Sequence, residues 1–283
     1  MNKKLLYLFI FLAIIIAACT EKINLNLDES YTRLVVEGFI RNDSQAYIVT
    51  LTKTSDYFAN APSPRVVNAI VTLSDGSNNV TLTETEPGYS GVYETGKDFA
   101  GIIGRDYKLN VQLSEAIAGK LEYSASCKLL RVTKLDSVKT IFKPDMGKDG
   151  FWQVKLYAQD PPGQKNYYML NLYRNGRLWS DTINKVAVSD NQFFEGNYIN
   201  GIDVFYINNS RKYETLNVGD SIMLELSAIT KEYFDFINQV KQSGFNIPFF
   251  SGPPANVVGN VDNGGVGFFA AYSSSYATTI VRK

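Results

Sequence analysis

The sequence predicts a mainly β chain: an N-terminal immunoglobulin-like β-sandwich, then a C-terminal β domain carrying one α-helix. Three observations carry this. Short stretches rich in Val, Ile, Tyr and Phe alternate apolar with polar residues, the period of a half-buried strand. Turn signals such as Asp75-Gly76 and Asn175-Gly176 separate them at hairpin spacing. Beyond the first residues a single stripe, Tyr233, Phe234, Phe236, Ile237 and Val240, repeats with the period of a helix.

The chain opens with Lys3 and Lys4 ahead of an apolar run over residues 5–16. As a helix that run would span roughly 18 Å, short of the ~30 Å hydrocarbon core, so residues 1–18 read as a signal peptide and not a membrane span. Ile16-Ala17-Ala18-Cys19 is similar to a bacterial lipobox, in which small residues admit the signal peptidase and the thiol takes a diacylglyceryl group. Cys19 is therefore the expected lipid anchor to a membrane, each buried methylene contributing ~0.8 kcal/mol. Residues 19–31 follow as a polar, lipidated tether. Loss of residues 1–18 removes two lysines from 28 basic residues and nothing from 28 acidic ones, leaving a net charge of −2.

Residues 32–131 read as the Ig-like sandwich. RLVVEGFI is rich in β-formers and ends at Asn42-Asp43-Ser44; Tyr47, Val49 and Leu51 alternate with polar neighbours. AIVTL and NVTLTE flank the Asp-Gly turn, and Tyr107, Leu109, Val111 and Leu113 form the next alternating face. The last strand of the set places Cys127 with Leu121, Tyr123, Ala125 and Leu129, so its thiol reads as a buried structural group. RVTKLDSV, residues 131–138, is polar and of mixed charge and reads as the junction between domains.

Residues 138–283 read as the second domain. Trp152, Val154, Leu156 and Ala158 form one strand face, and Asp160-Pro161-Pro162-Gly163 forces a turn, because two prolines remove two backbone donors. In the next strand Tyr167, Met169 and Tyr173 share one face and Tyr168, Leu170 and Leu172 the other; if one is core, the other exposes tyrosines. The helix, at about 230–243, starts with Thr230 as cap and stops at Gly244. Residues 244–265 are rich in Gly, Pro and Asn and carry Phe249 beside Phe250, a loop that reads equally as a covering flap or a binding loop.

The chemistry is bounded mainly by what is missing. The chain contains no histidine, which removes His-based nucleophile activation, imidazole metal sites and His switches. Two cysteines build neither a disulfide framework nor a zinc cluster. There is no Asp-x-Asp calcium signature, no Ser-x-x-Lys pair, and Val92 replaces the last glycine of a Gly-x-Ser-x-Gly elbow. Formal neutrality offers no footprint for nucleic acid. No catalytic residue, metal ligand or cofactor is therefore expected, although a pair drawn from 16 aspartates and 12 glutamates leaves a glycosidase arrangement open. Phe249, Phe250, Tyr167 and Tyr173 are the candidate contacts to a partner or ligand, since exposed aromatics suit sugar stacking and protein docking. For the tyrosines the favoured reading is that they merely cover a neighbouring strand.

RLVVEGFI, AIVTLSDG, AQDPPGQKNYYMLNLYRNG, FFEG, VGDSIMLEL and PPANVVGNVDNGGVGFFAAYS, behind a lipobox, together resemble the domain of unknown function 4249 family of Bacteroidota cell-envelope lipoproteins. The resemblance implies an outer-membrane lipoprotein working beside a TonB-dependent barrel, on either face of that membrane, with no catalytic residues to carry over. The expected function is thus a non-enzymatic accessory or binding protein. A structural lipoprotein without ligand and a carboxylate-based glycan hydrolase are the alternatives. Three Asp-Ser/Thr-aliphatic triplets, at Ser137, Thr182 and Ser221, are similar to O-glycosylation acceptors of that phylum, with Ser137 at the junction expected to be the best exposed.

Overall fold

The alternating segments form strands and the 3.6-period stripe forms the helix. The computed structural model describes residues 32–55, 61–243 and 257–282; Cys19, Phe249 and Phe250 lie outside these. In chain order come β1 (Leu34–Ile40), β2 (Ile48–Lys53), β3 (Ile70–Ser74), β4 (Asn79–Glu84), β5 (Val92–Glu94), β6 (Asp106–Ile117) and β7 (Lys120–Lys128). Then follow β8 (Leu135–Lys143), β9 (Phe151–Gln159), β10 (Tyr167–Arg174), β11 (Arg177–Leu178), β12 (Ala187–Asp190), β13 (Tyr198–Asn208) and β14 (Ser221–Ile229). Helix α1 (Lys231–Ser243) precedes β15 (Val266–Ala271) and β16 (Ser273–Ile280). The described residues are mainly β with one helix, as the patterning predicts.

The first sheet has eight strands in the order β15-β1-β2-β5-β4-β3-β6-β7. Its end strands come together: the Ala271 amide donates to Cys127 Sγ at 3.2 Å, and Leu130 bridges Tyr272 in parallel. The sheet thus curls around a core that includes Leu34, Val36, Leu51, Val71, Tyr93, Leu109, Leu129 and Phe269. Tyr123, Ala125 and Cys127 face that core as expected, and burial pushes the thiol up to about 11. Leu121 does not share their burial. It sits at the tip of the β6–β7 hairpin, past the irregularity between Gln112 and Ile117, and is exposed.

The second core fills the space between a three-stranded sheet, β13-β9-β8, and one face of a five-stranded sheet built on β11-β10-β14-β16, with β12 also on β10. Trp152, Val154 and Leu156 meet Tyr168, Leu170, Leu172, Leu224 and Leu226 there. On the opposite face of β10, Met169 belongs to the first core, and Tyr167 packs against that core through Phe234 at 5.1 Å. The choice between a core face and a tyrosine-exposing face is thus corrected: β10 is a shared wall, and both of its faces are covered.

Thr32–Lys283 holds together as one compact unit. Residues 131–138, read as a junction, are bound on both sides. The Val132 and Leu135 amides donate to Ser273 Oγ and Ser275 Oγ at 2.8 and 2.9 Å, and Leu135 and Val138 are buried in β8. Helix α1 begins where the cap predicts, with the Tyr233 amide on Thr230 Oγ1 at 3.3 Å, and lays Tyr233 and Phe236 on Phe268 of β15. The described part of the glycine-rich loop, residues 257–265, straps the edge of β7. Asn260 Nδ2 donates to the Ser126 carbonyl, the Asp262 amide to that of Ser124 and Asn263 Nδ2 to that of Glu122. That strap covers an edge that would otherwise be open to pairing.

β15 joins the first sheet by parallel pairing with β1, from Val35↔Val266 to Ile40↔Ala271. Gly267 makes the approach feasible: its φ is +94°, and a Cβ there would collide with the Val36 carbonyl. Gly267→Ala is expected to cost more than about 3 kcal/mol, since both strain and overlap act. Gly76→Ala, at φ +85° with open space around it, should cost only about 1–2 kcal/mol. Urea unfolding of the two variants side by side measures the difference.

Candidate functional site

A concavity lies at one end of the five-stranded sheet. It is a cleft of ≈ 600 Å³ lined by the β10–β11 hairpin tip, the segment after β11 and the turn around Tyr213. The hairpin closes through Asn175 (φ 51°) and Gly176 (φ 76°), the double positive φ that a two-residue turn of right-handed twist requires. Asn175 also ties the tip down. Its Nδ2 donates to Asp220 Oδ1 at 2.7 Å and its Oδ1 accepts the Ser221 amide at 2.8 Å. Arg174 reaches the Thr215 carbonyl, and its Nε lies 3.9 Å from Asp220.

Trp179 forms the rigid wall. Its Nε1 donates to the Glu214 carbonyl at 2.9 Å, and its ring meets Phe205 edge-on at 6.0 Å. Lys185 lies over the same ring, 5.1 Å from the centroid, while bonding Asp181 at 3.0 Å and Glu214 at 3.1 Å. Lys185, with Arg211, holds the Glu214 carboxyl below its ordinary range. Tyr213, by contrast, is 95% exposed, and Arg177 and Leu178 are exposed beside it. The cleft therefore combines fixed charged walls with aromatic and guanidinium groups still facing water.

Among the described residues two buried carboxylates lie elsewhere, and both are fully engaged. Glu225 on β14 is 1% exposed. Its Oε1 accepts from Arg41 at 2.9 Å and Tyr276 at 3.2 Å, its Oε2 from Tyr173 at 3.0 Å and Asn171 at 3.3 Å. Burial opposes the Arg41 charge, yet Tyr276, Glu225 and Asp43 hold its pKa well above the ordinary value. Burial and the Glu225 charge push Tyr276 up to about 12. Asp160 is fully buried. It accepts from Tyr168 Oη at 2.7 Å, Asn191 Nδ2 at 2.8 Å and the Gly196 amide at 3.2 Å. This contact explains why DPPG, NYY and FFEG occur together: the aspartate of the first gathers the second and third.

Tyr173 is thus part of the Glu225 network rather than a free contact, and Tyr167 is half-buried between Phe234 and Lys165, whose Nζ lies 5.5 Å from the ring centroid. The expectation for Ser137 is corrected: as a residue of β8 paired with Tyr157 it is half-buried, while Thr182 lies exposed in a turn beside the cleft. Ser221 opens β14 and is half-buried, with its amide on Asn175. Lys185, Tyr213 and Glu214 escaped sequence reasoning. They come from different turns, and only Trp179 with the Asn-Gly turn marked the place.

The family described as Domain of unknown function (DUF4249) matches residues 20–278. No curated protein matches the chain.

Removing the charge of Glu225 leaves the half-buried Arg41 with Asp43 alone. Glu225→Gln is expected to destabilise the fold by about 3 kcal/mol, and Tyr276→Phe by about 1 kcal/mol, in urea unfolding. The raised tyrosine pKa values also set a direction with pH. A tyrosine that stays protonated in the fold favours folding fully below its ordinary pKa of 10, and that contribution is lost as pH rises through about 12. Absorbance at 295 nm should show Tyr276 and Tyr173 ionising late, together with loss of stability.

Proposed function

Because the chain belongs to the DUF4249 family, we propose that it is a lipid-anchored binding protein of the outer membrane, without catalytic activity, that docks on a TonB-dependent barrel or on its cargo. The observation that carries this is the position of Cys19. The lipobox cysteine directly precedes the family match, which starts at residue 20, so the proposed anchor stands at the edge of the family region. No helix among the described residues is long and apolar enough to cross a membrane.

The chemistry of the buried and cleft carboxylates supports a binding role. Glu225 and Asp160 spend their oxygens on Arg, Tyr and Asn donors. Asp181 and Glu214 share Lys185 in the cleft. A glycosidase acid needs a carboxyl whose pKa is raised so that it holds a proton to donate. The downward shift of Glu214 works against that role.

Cys19→Ala is expected to move the protein from the membrane to the soluble envelope fraction; retention with the membrane as firm as the parent's would refute the anchor. Purification in mild detergent should bring an integral outer-membrane barrel with the parent. Recovery with peptidoglycan or other lipoproteins instead would favour a purely structural role. The double substitution Phe249→Ser and Phe250→Ser should lower the barrel yield at unchanged folding. Parental yield would remove that loop from the contact.

A further inference from the structure

The cleft carries a ligand assignment of its own. We infer that it binds an acidic oligosaccharide, with Tyr213 and Trp179 as the aromatic walls and Arg177 as the partner of a sugar carboxylate. This rests on the reading of the chain as a binding protein, and on neither the anchor nor the barrel.

Size comes first. At ≈ 600 Å³ the cleft falls within the range of small-ligand sites, about 300–1,000 Å³. Its lining is mainly polar, so it offers little to a lipid or an apolar peptide segment. Donors on Arg174, Arg177 and Lys185 alternate with acceptors on Asp181 and Glu214, and Asn175 supplies both kinds. A chain of hydroxyl groups, each donor and acceptor at once, is the ligand that such a mixed wall satisfies. The aromatic components answer the other half of a sugar, its apolar C–H face, which rests on a ring without needing a cation.

The charge balance then selects the kind of sugar. Lys185 is neutralised twice over, by Asp181 and Glu214, and Arg174 is held by Asp220 and the Thr215 carbonyl. Arg177 is the cleft cation that has no ion pair among the described residues. One free guanidinium in a frame that already contains two fixed carboxylates suits a single carboxylate, bound through a bidentate fork. A phosphate-rich ligand such as a nucleotide would bring its several charges against Asp181 and Glu214. A neutral sugar would leave Arg177 without a role.

The walls are also pre-set. Trp179 is pinned through Glu214, Phe205 and Lys185, and the hairpin tip through Asp220, so little ordering cost remains beyond Tyr213 and Arg177. Those two side chains are exposed, and replacing either leaves every described core contact intact.

The test is calorimetric titration of the full-length chain, purified in mild detergent without any barrel, with tetragalacturonate and with maltotetraose. Saturable binding of tetragalacturonate is expected, weakened at least tenfold by Arg177→Ala and by Tyr213→Ala, with maltotetraose much weaker and unaffected by Arg177→Ala. Oligomannuronate and hyaluronan tetrasaccharide extend the acidic set. No saturable binding across that set would overturn the inference, and so would binding that both variants keep at parental strength. Maltotetraose bound as tightly as the acidic probes would overturn the role of Arg177. Since the titration needs no partner, its failure speaks to the cleft alone, and loss of barrel co-purification speaks to the docking proposal alone. Release of reducing ends from tetragalacturonate would refute the non-enzymatic reading instead.

Discussion

The architecture depends on the parallel seam between β15 and β1. Six consecutive residue pairs join strands separated by more than two hundred positions, and β15 then meets β7 on the other side through Cys127 and the Leu130–Tyr272 bridge. Without β15 the edge of β1 would stand open and the core would lack Phe268 and Phe269. Only a backbone without a Cβ passes this closely, which is why glycine stands at position 267. Such a long-range pairing is expensive in loop-closure entropy, and it becomes favourable only when much apolar surface is buried with it. Tyr233 and Phe236 of α1, stacked on Phe268, supply part of that surface.

The same seam explains the buried charges. Arg41 directly follows β1, and Glu225, Tyr173 and Tyr276 sit on β14, β10 and β16. Once β15 fixes the first sheet beside the second, Arg41 has no route to bulk water for its whole side chain, and the polar groups of three other strands close around it. A buried ion pair is a poor source of net stability, because desolvation offsets the attraction. It is a strong constraint on registry, because any slip of one sheet against the other strands a charge. Asp160 acts similarly within the second body, holding the loop before β13 on the turn after β9 through Tyr168, Asn191 and Gly196.

Local pattern was legible in the sequence; partnership was not. The Asp75-Gly76 hairpin, the helix with its Thr230 cap and the burial of Cys127 follow from spacing and turn chemistry, all properties of a few adjacent residues. The position of β15 does not follow, since nothing in VGFFAA specifies a partner two hundred residues away. β10 defeated a two-face reading for a related reason: alternation marks which residues share a face, not whether the other face meets water or a second core. The polar stretch at residues 131–138 concealed the start of β8, because its amides find side-chain acceptors on β16 that no local pattern announces. The cleft was hidden most of all. Trp179 and the Asn-Gly turn mark one wall, while Lys185, Tyr213 and Glu214 arrive from separate turns.

The distribution of satisfied and unsatisfied groups separates scaffold from site. Where the chain must stay fixed, polar atoms are paired and dry, as at Glu225 and Asp160. In the cleft only one wall is treated this way. Trp179 is immobilised by a hydrogen bond, an edge-on ring and a cation, whereas Arg177, close by in the chain, and Tyr213, from a separate turn, are left in water. Stability gains nothing from an aromatic ring that is 95% exposed or from an unpaired guanidinium. A fixed wall opposed by two solvated side chains is the arrangement expected of a surface that captures a flexible, hydrated ligand. The rigid half sets the shape that is recognised, and the exposed half supplies area and charge that are desolvated only on binding.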